Sequence, residues 1–309
     1  MVNLPKTIVL REEGPREGFQ MESTEIKIED KVRLIDALSK VGLKHIMVTS
    51  FVSPKWVPQM GDAEEVAARF TRKPGIRYYA VAVNEQGVKR AHQTGKFDEV
   101  GGIGLWASEA MSRANTNKTI AETIATLAPW AKIIKEYGYP VTATMGCVFG
   151  CNMEGNIPVE RVIWLIKVVL DLSQELNLGL HQIVLGDTMG TANPLQVMRV
   201  LLGLREEFPD IDFILHFHDT RGSGLANVLA ALQVGITTFD SSILHLGIWP
   251  YAPGAAGNVA TEDVAAMCEE MGIETGIDLD GLIECAKLAE EIVGHPLPGK
   301  VKVGGRVKH

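Results

Sequence analysis

Two histidines one residue apart, His216 and His218, end the apolar run Phe213-Ile214-Leu215 and lead into Asp219-Thr220. In an extended strand, residues two apart point to the same side, so both imidazoles would serve one point. Two neutral imidazoles need only an oxygen donor or two to hold a divalent cation. Glu17, in the early segment Gly14-Pro15-Arg16-Glu17-Gly18, is a candidate carboxylate. The plain alternative is a pair of strand histidines that hydrogen-bond to their neighbours. The choice depends on where the other polar residues fall, and hence on the elements that position them.

Apolar, β-branched runs recur at Thr7–Leu10, His45–Thr49, Arg77–Val83, Val141–Met145, Gln182–Leu185, Phe213–His216 and Ile236–Phe239, with a glycine-rich eighth candidate at Glu99–Leu105. Helix-period stretches lie between and after them: Glu29–Val41, Glu64–Arg72, Glu85–Thr94, Thr119–Tyr137, Pro158–Leu176, Pro194–Glu207 and Gly224–Val234. Asn193-Pro194 is a helix start, and Gly138 and Gly235 are helix stops. Strands separated by helices pair in parallel. About eight such units in this length predict an α/β fold, a closed (β/α)8 TIM barrel with additional C-terminal helices. The barrel is expected over residues 1–258. Residues 259–309, with helices at Thr261–Met271 and Leu279–Val293, are expected to belong to the same domain. The basic tail after Gly299 reads as a solvated, mobile end.

Active sites of this fold sit at the carboxyl ends of the strands, and polar residues collect there. Arg16 and Glu17 follow the first strand, Thr49 and Ser50 end the second, and Ser108 and Glu109 follow the fourth. Thr144 ends the fifth, Asp187 and Thr188 close the sixth, His216 and His218 the seventh, and Asp240-Ser241-Ser242 the eighth. Asn258 returns to the same rim. One such residue means little, because loops are polar anyway; convergence on a His-x-His pair carries more weight.

Composition narrows the function classes. A net charge of −8 argues against nucleic acid or an anionic membrane as the main partner. Met1–Arg11 has no apolar core of a signal-peptide kind, and no apolar run is long enough to span a bilayer. Four cysteines are too few for a disulfide scaffold, so a reducing cytoplasm is the expected location. Cys147 and Cys151 lack a partner pair for a zinc knuckle and read as packing. Gly101-Gly102-Ile103-Gly104 lacks the spacing of a phosphate loop and reads as a close-packed turn.

Nearly the whole chain resembles the 3-hydroxy-3-methylglutaryl-CoA lyase family, within the barrel superfamily that includes isopropylmalate and homocitrate synthases. The resemblance rests on Gly14-Pro15-Arg16-Glu17-Gly18-Phe19-Gln20, the run from Thr49 to Asp62, Leu185-Gly186-Asp187-Thr188, His216-Phe217-His218-Asp219-Thr220 and the run from Gly257 to Asp263. The loop from Pro54 to Asp62 and the lack of a large regulatory domain favour the lyase over the synthases. The resemblance implies a divalent cation held by Glu17, His216, His218 and Asn258. Mg²⁺ or Mn²⁺ suits that donor set better than Zn²⁺. It further implies retro-Claisen cleavage of an acyl-CoA-type substrate, a homodimer, and catalytic roles for Arg16, His218 and Asp187. Substrate contacts fall at Arg16, Gln20, Ser50, Thr144 and Thr188.

Departures from the family cluster at the same site. Met47 stands where the family has a glutamate, Thr144 and Arg221 where it has tyrosines, and Trp249 where its lid has a catalytic cysteine. An indole donates a hydrogen bond but offers no useful acid–base chemistry. Trp249 is therefore read as a substrate contact, and nearby His245 as the replacement acid. Lys55, Arg113 and Asn115 are candidate contacts for CoA phosphates, although surface charge explains them equally well. These changes point to an altered substrate on a lyase scaffold. The alternatives are a metal-dependent aldolase or Claisen-type catalyst for another hydroxy acid, and a binding subunit that has lost turnover.

Overall fold

The computed structural model describes residues 4–22, 26–243 and 257–307. They form two compact units, one built on Gly101–Thr238 and the other on Lys6–Val100 with 239–243 and 257–307.

The Lys6–Val100 unit holds strands β1 (Val9–Glu12), β2 (His45–Ser50), β3 (Arg77–Val81) and β4 (Glu99–Val100). Neighbours in the order β4-β3-β2-β1 pair in parallel. The Gly101–Thr238 unit holds β5 (Ile103–Trp106), β6 (Ala143–Gly146), β7 (Gln182–Asp187) and β8 (Asp212–Phe217), again parallel and in sequential order. A last strand, β9 (Thr238–Ser241), follows. Each parallel step is bridged by helix, as the alternation requires. One side of each strand packs under those helices: Ile46 and Val48 in β2, Ile183 and Leu185 in β7, and Phe213 and Leu215 in β8 are all buried. No helix among the described residues is long and apolar enough to cross a membrane.

Several boundaries follow local chemistry. The helices Glu85–Thr94, Pro194–Glu207 and Leu279–Val293 have the expected limits. Asn84, Asn193 and Asp278 cap them, each side chain accepting from the backbone three residues on. Gly138 and Gly235 follow helices with φ of +81°, a conformation open to glycine.

Other expectations need correction. The first strand runs over Val9–Glu12 rather than Thr7–Leu10, because its charged end is held by contacts described below. Glu99–Leu105 is two strands, broken at Gly101-Gly102, where φ of Gly101 is +74° and a Cβ on Gly102 would lie 2.7 Å from Thr142 Oγ1. Thr144 does not end its strand but is the second residue of β6. The tail after Gly299 is not a mobile end at its start. Val301–Gly304 forms a helical turn, and buried Lys302 places its Nζ 3.0 Å from Glu290 Oε1.

Buried carboxyls give the fold a pH dependence. Burial pushes Glu262 up to about 8, with Asp263 and Glu12 adding to the rise and Lys302 opposing it. Burial likewise carries Glu12 to about 7. A carboxyl that holds its proton more tightly in the fold than in the unfolded chain makes stability fall as pH rises between those two pKa values. His295, raised by its bonds to Pro296 and Glu22, acts in the same direction. The melting temperature is therefore expected to drop by about 3 °C or more between about pH 6 and about pH 9. Glu262→Gln, which fixes the neutral shape, should flatten that slope in thermal melts. An unchanged slope would place the titration elsewhere.

Candidate functional site

In the Lys6–Val100 unit the polar residues gather around the start of the helix Gly14–Met21. Pro15 sits at its first turn, where a missing N–H costs nothing. The carbonyl of Glu13 accepts from Arg16 N at 3.1 Å and Glu17 N at 2.8 Å. The buried Glu12 carboxylate accepts from Gly14 N (2.7 Å), Ile243 N (2.9 Å) and Thr261 Oγ1 (2.6 Å). One side chain thus ties β1, the end of β9 and the helix Thr261–Glu270 together.

That frame presents Arg16, Glu17 and Asn258 as a connected set. Arg16 Nη1 donates to Glu17 Oε1 at 2.8 Å, and Asn258 Nδ2 donates to Glu17 Oε2 at 2.7 Å. The orientation of the Asn258 amide follows, because a carboxylate can only accept. Asn258 Oδ1 and Arg16 Nε are then buried with no hydrogen-bond partner among the described residues. The hydroxyls of Ser50, Ser241 and Ser242 are likewise buried without partners among the described residues. Buried polar atoms rarely stay unsatisfied without a reason. Gln20 lies half-buried on the same helix.

Below this set, β1, β2, β3 and β9 carry a charged network. Arg11 Nε lies 3.0 Å from Asp240 Oδ1, the Arg11 guanidinium sits 5.2 Å over the Tyr79 ring, and the Tyr79 hydroxyl donates to Glu13 Oε1. Burial, then Arg11 and Arg77, push His45 down to about 4, so it is neutral near pH 7. Met47 lies next to Tyr79 in the β2–β3 register. Sequence reading passed over this network. Its signal was the i, i+2 spacing of Arg11 and Glu13, the same cue that singled out the histidines.

In the Gly101–Thr238 unit, His216 and His218 lie with ring centroids 5.1 Å apart. His218 is buried, and its Nδ1 is 3.0 Å from the Asp187 carbonyl. A carbonyl only accepts, so Nδ1 carries the proton and Nε2 keeps the lone pair, the tautomer a metal ligand needs. The Asp187 carboxylate turns into its own loop, accepting from Thr191 N (2.8 Å) and Ala192 N (3.1 Å). Burial carries Asp187 up to about 6 against those bonds. Thr188 Oγ1 accepts from Cys147 N at 3.0 Å, and Thr144 is exposed. Arg221 Nη1 donates to the carbonyls of Met189 (3.2 Å) and Gly190 (2.7 Å), so it braces the loop after β7.

The remaining candidates are placed as follows. Ser108 caps the helix Glu109–Thr116, and Arg113 Nε lies 3.2 Å from Glu109 Oε1. Lys55 sits 5.5 Å over the exposed Trp56 ring. Cys147 and Cys151 are buried free thiols. His245 and Trp249 lie outside the described residues.

Known proteins give a consistent picture. A family profile described as HMGL-like matches residues 7–289. The chain is 42% identical over 296 residues to the hydroxymethylglutaryl-CoA lyase YngG of Bacillus subtilis, covering 96% of each. It is 39% identical over 293 residues to a 3-hydroxy-3-isohexenylglutaryl-CoA/hydroxy-methylglutaryl-CoA lyase of Pseudomonas aeruginosa, covering 95% of each. Among solved structures, an HMG-CoA lyase of Acinetobacter baumannii in complex with coenzyme A and 3-methylmalate matches with a TM-score of 0.88 and 38% identity, over 99% of this chain and 97% of that one.

Proposed function

This chain belongs to the HMGL-like family and has its (β/α)8 barrel fold, and from that premise we propose a metal-dependent carbon–carbon lyase that cleaves a 3-hydroxyacyl-CoA into an acyl-CoA and a keto product. The observation that carries the reading is the Asn258 amide, whose nitrogen is spent on Glu17 while its buried oxygen has no partner among the described residues. An oxygen in that state fits a cation.

Glu17, His216 and His218 are, among the described residues, side chains whose chemistry suits a metal ion. With Asn258 they would supply two nitrogen and two oxygen donors, a mixture that favours Mg²⁺ or Mn²⁺ over Zn²⁺. When bound, the cation lowers the pKa of the substrate hydroxyl and offsets negative charge on oxygen.

The chain's own residues do the rest. Glu17 would offset part of the charge of a bound cation. The Asp187 carbonyl holds His218 in its ligating tautomer. Arg16, fixed by its bond to Glu17, offers its unpartnered Nε to the oxygen on which charge develops. Once the hydroxyl proton is removed, the carbon–carbon electron pair leaves with the acyl-CoA fragment as an enolate, which must then be protonated. His245 is the proposed donor, and Gln20, Ser50, Thr144, Thr188 and Trp249 are the proposed substrate contacts. Homodimeric assembly and a cytoplasmic location belong to the same reading, and light scattering tests the first.

The test is incubation with a panel of 3-hydroxyacyl-CoA thioesters plus Mg²⁺ or Mn²⁺, scored by mass spectrometry. At least one thioester is expected to yield the shorter acyl-CoA and a keto product. Because Trp249 and Met47 replace family acid–base residues, 3-hydroxy-3-methylglutaryl-CoA itself should turn over well below about 10 s⁻¹, an ordinary enzyme rate. Stoichiometric metal with no cleavage anywhere in the panel would favour the binding-subunit reading that those two residues support.

A further inference from the structure

Glu13 lies between β1 and the helix Gly14–Met21, which carries Arg16 and Glu17. Its N–H donates to the Ser241 carbonyl at 2.8 Å, and its own carbonyl receives the amides of Arg16 and Glu17. Side chains at this position commonly cap the helix they precede, but that of Glu13 makes no capping bond. It turns away into a buried setting and accepts from the Tyr79 hydroxyl on β3, with Arg11 Nη2 3.9 Å from the same oxygen. The Gly14 amide is held separately, by the Glu12 carboxylate.

The register shows how β3 reaches the end of β1. Arg11 pairs with His45 and Glu12 with Ile46 across β1 and β2, and Met47 pairs with Tyr79 across β2 and β3. One more step puts Met47 in the row between Glu13 and Tyr79, and residues in such a row share a face. Two strand spacings, about 10 Å, separate the outer members. A phenol and a carboxylate close that gap by leaning over the uncharged Met47 side chain. Burial and the negative charge of Glu13 hold the Tyr79 phenol well above its ordinary range, so it keeps its proton and donates. The Arg11 guanidinium lies over the same ring and reaches Asp240, which brings β9 into the set. Apolar side chains would pack this place at least as stably as two carboxylates and a guanidinium. What the charged set adds is a fixed position for Glu13.

We propose that Tyr79 is a positioning residue for the site: its hydroxyl fixes the Glu13 side chain, and the Glu13 carbonyl sets where the first turn of the helix presents Arg16 and Glu17. This inference rests on the lyase reading for the tasks of Arg16 and Glu17, whereas the link itself needs only the contacts above. Without the hydroxyl a buried carboxylate loses a donor and must find another, and the turn built on the same residue moves with it. Metal affinity answers to such supports. Losing a group that orients a ligand costs about 10–100-fold, and Tyr79, one step further out, belongs at the lower end.

The test is Tyr79→Phe, which removes the hydroxyl and keeps the ring under Arg11, read in two ways that do not depend on turnover. Amide hydrogen exchange, followed by NMR on the metal-free protein, should be about tenfold faster at Arg16 and Glu17, while Gly14, held by Glu12, stays near its wild-type rate. The dissociation constant for Mn²⁺, measured by calorimetry, should rise about tenfold. In a Glu13→Leu background, Tyr79→Phe should change either quantity by less than about twofold, because the bond that couples the two side chains is already gone. The proposal is overturned if exchange at Arg16 and Glu17 is unchanged, or if Gly14 loosens as much as they do. It is also overturned if the wild-type affinity for Mn²⁺ survives Tyr79→Phe, or if the effect persists undiminished on Glu13→Leu. Exchange that responds as expected in a protein that binds no Mn²⁺ would keep the link from Tyr79 to the turn and remove the metal reading instead.

Discussion

His218→Ala is expected to lose both the bound cation and the activity. The imidazole is the donor whose tautomer is most firmly set, because Nδ1 is committed to the Asp187 carbonyl at 3.0 Å inside a buried setting. Losing a partner that merely orients a ligand costs about 10–100-fold in metal affinity or activity, and losing the ligand itself should cost more. In metal analysis after desalting, occupancy should fall from near stoichiometric to below about one tenth. Asn258→Ala removes a neutral amide oxygen and should weaken the site less, although it also frees Glu17 Oε2. Full metal content in the His218→Ala protein would end the ligand assignment.

Arg16→Met is expected to separate catalysis from metal binding. The guanidinium donates to Glu17 Oε1 and holds a second, buried nitrogen without a partner. A fixed donor aimed at developing charge is worth about 10²–10³ in kcat when removed. The variant should therefore lose that much turnover, while its metal content, although Glu17 loses the Arg16 bond, should fall less than that of His218→Ala, since Arg16 is not itself a metal donor. Arg16→Lys should recover little, because a point charge on a flexible stem does not reproduce the fixed fork. If Arg16→Met raised KM alone with kcat unchanged, Arg16 would bind ground and transition states equally and would not serve the bond-breaking step.

Much of this was legible in the sequence because it was local. A cap and a period define a helix within a dozen residues, and Glu85–Thr94, Pro194–Glu207 and Leu279–Val293 appear with the limits their side chains dictate. The alternation of strand and helix gave the parallel sheet. The His-x-His spacing put His216 and His218 on one face, since strand geometry alone decides that.

What the sequence could not decide was set by contacts between distant residues. The first, fifth and eighth expected strands run further toward their carboxyl ends than their apolar runs do, over Val9–Glu12, Ala143–Gly146 and Thr238–Ser241. At β1, polar residues continue the strand because distant partners receive them, Asp240 for Arg11 and Thr261 for Glu12. The helix Gly14–Met21 was not legible, as two glycines and a proline argue against it; the carbonyl of Glu13 and the Glu12 carboxylate hold its first turn. Lys302 reads as a solvated charge until Glu290 is found 3.0 Å away. Periodicity and capping act over one or two turns of chain, so sequence carries them. Which polar group meets which, and where space is left empty, depends on the packing of elements far apart in sequence, and only the tertiary structure decides it.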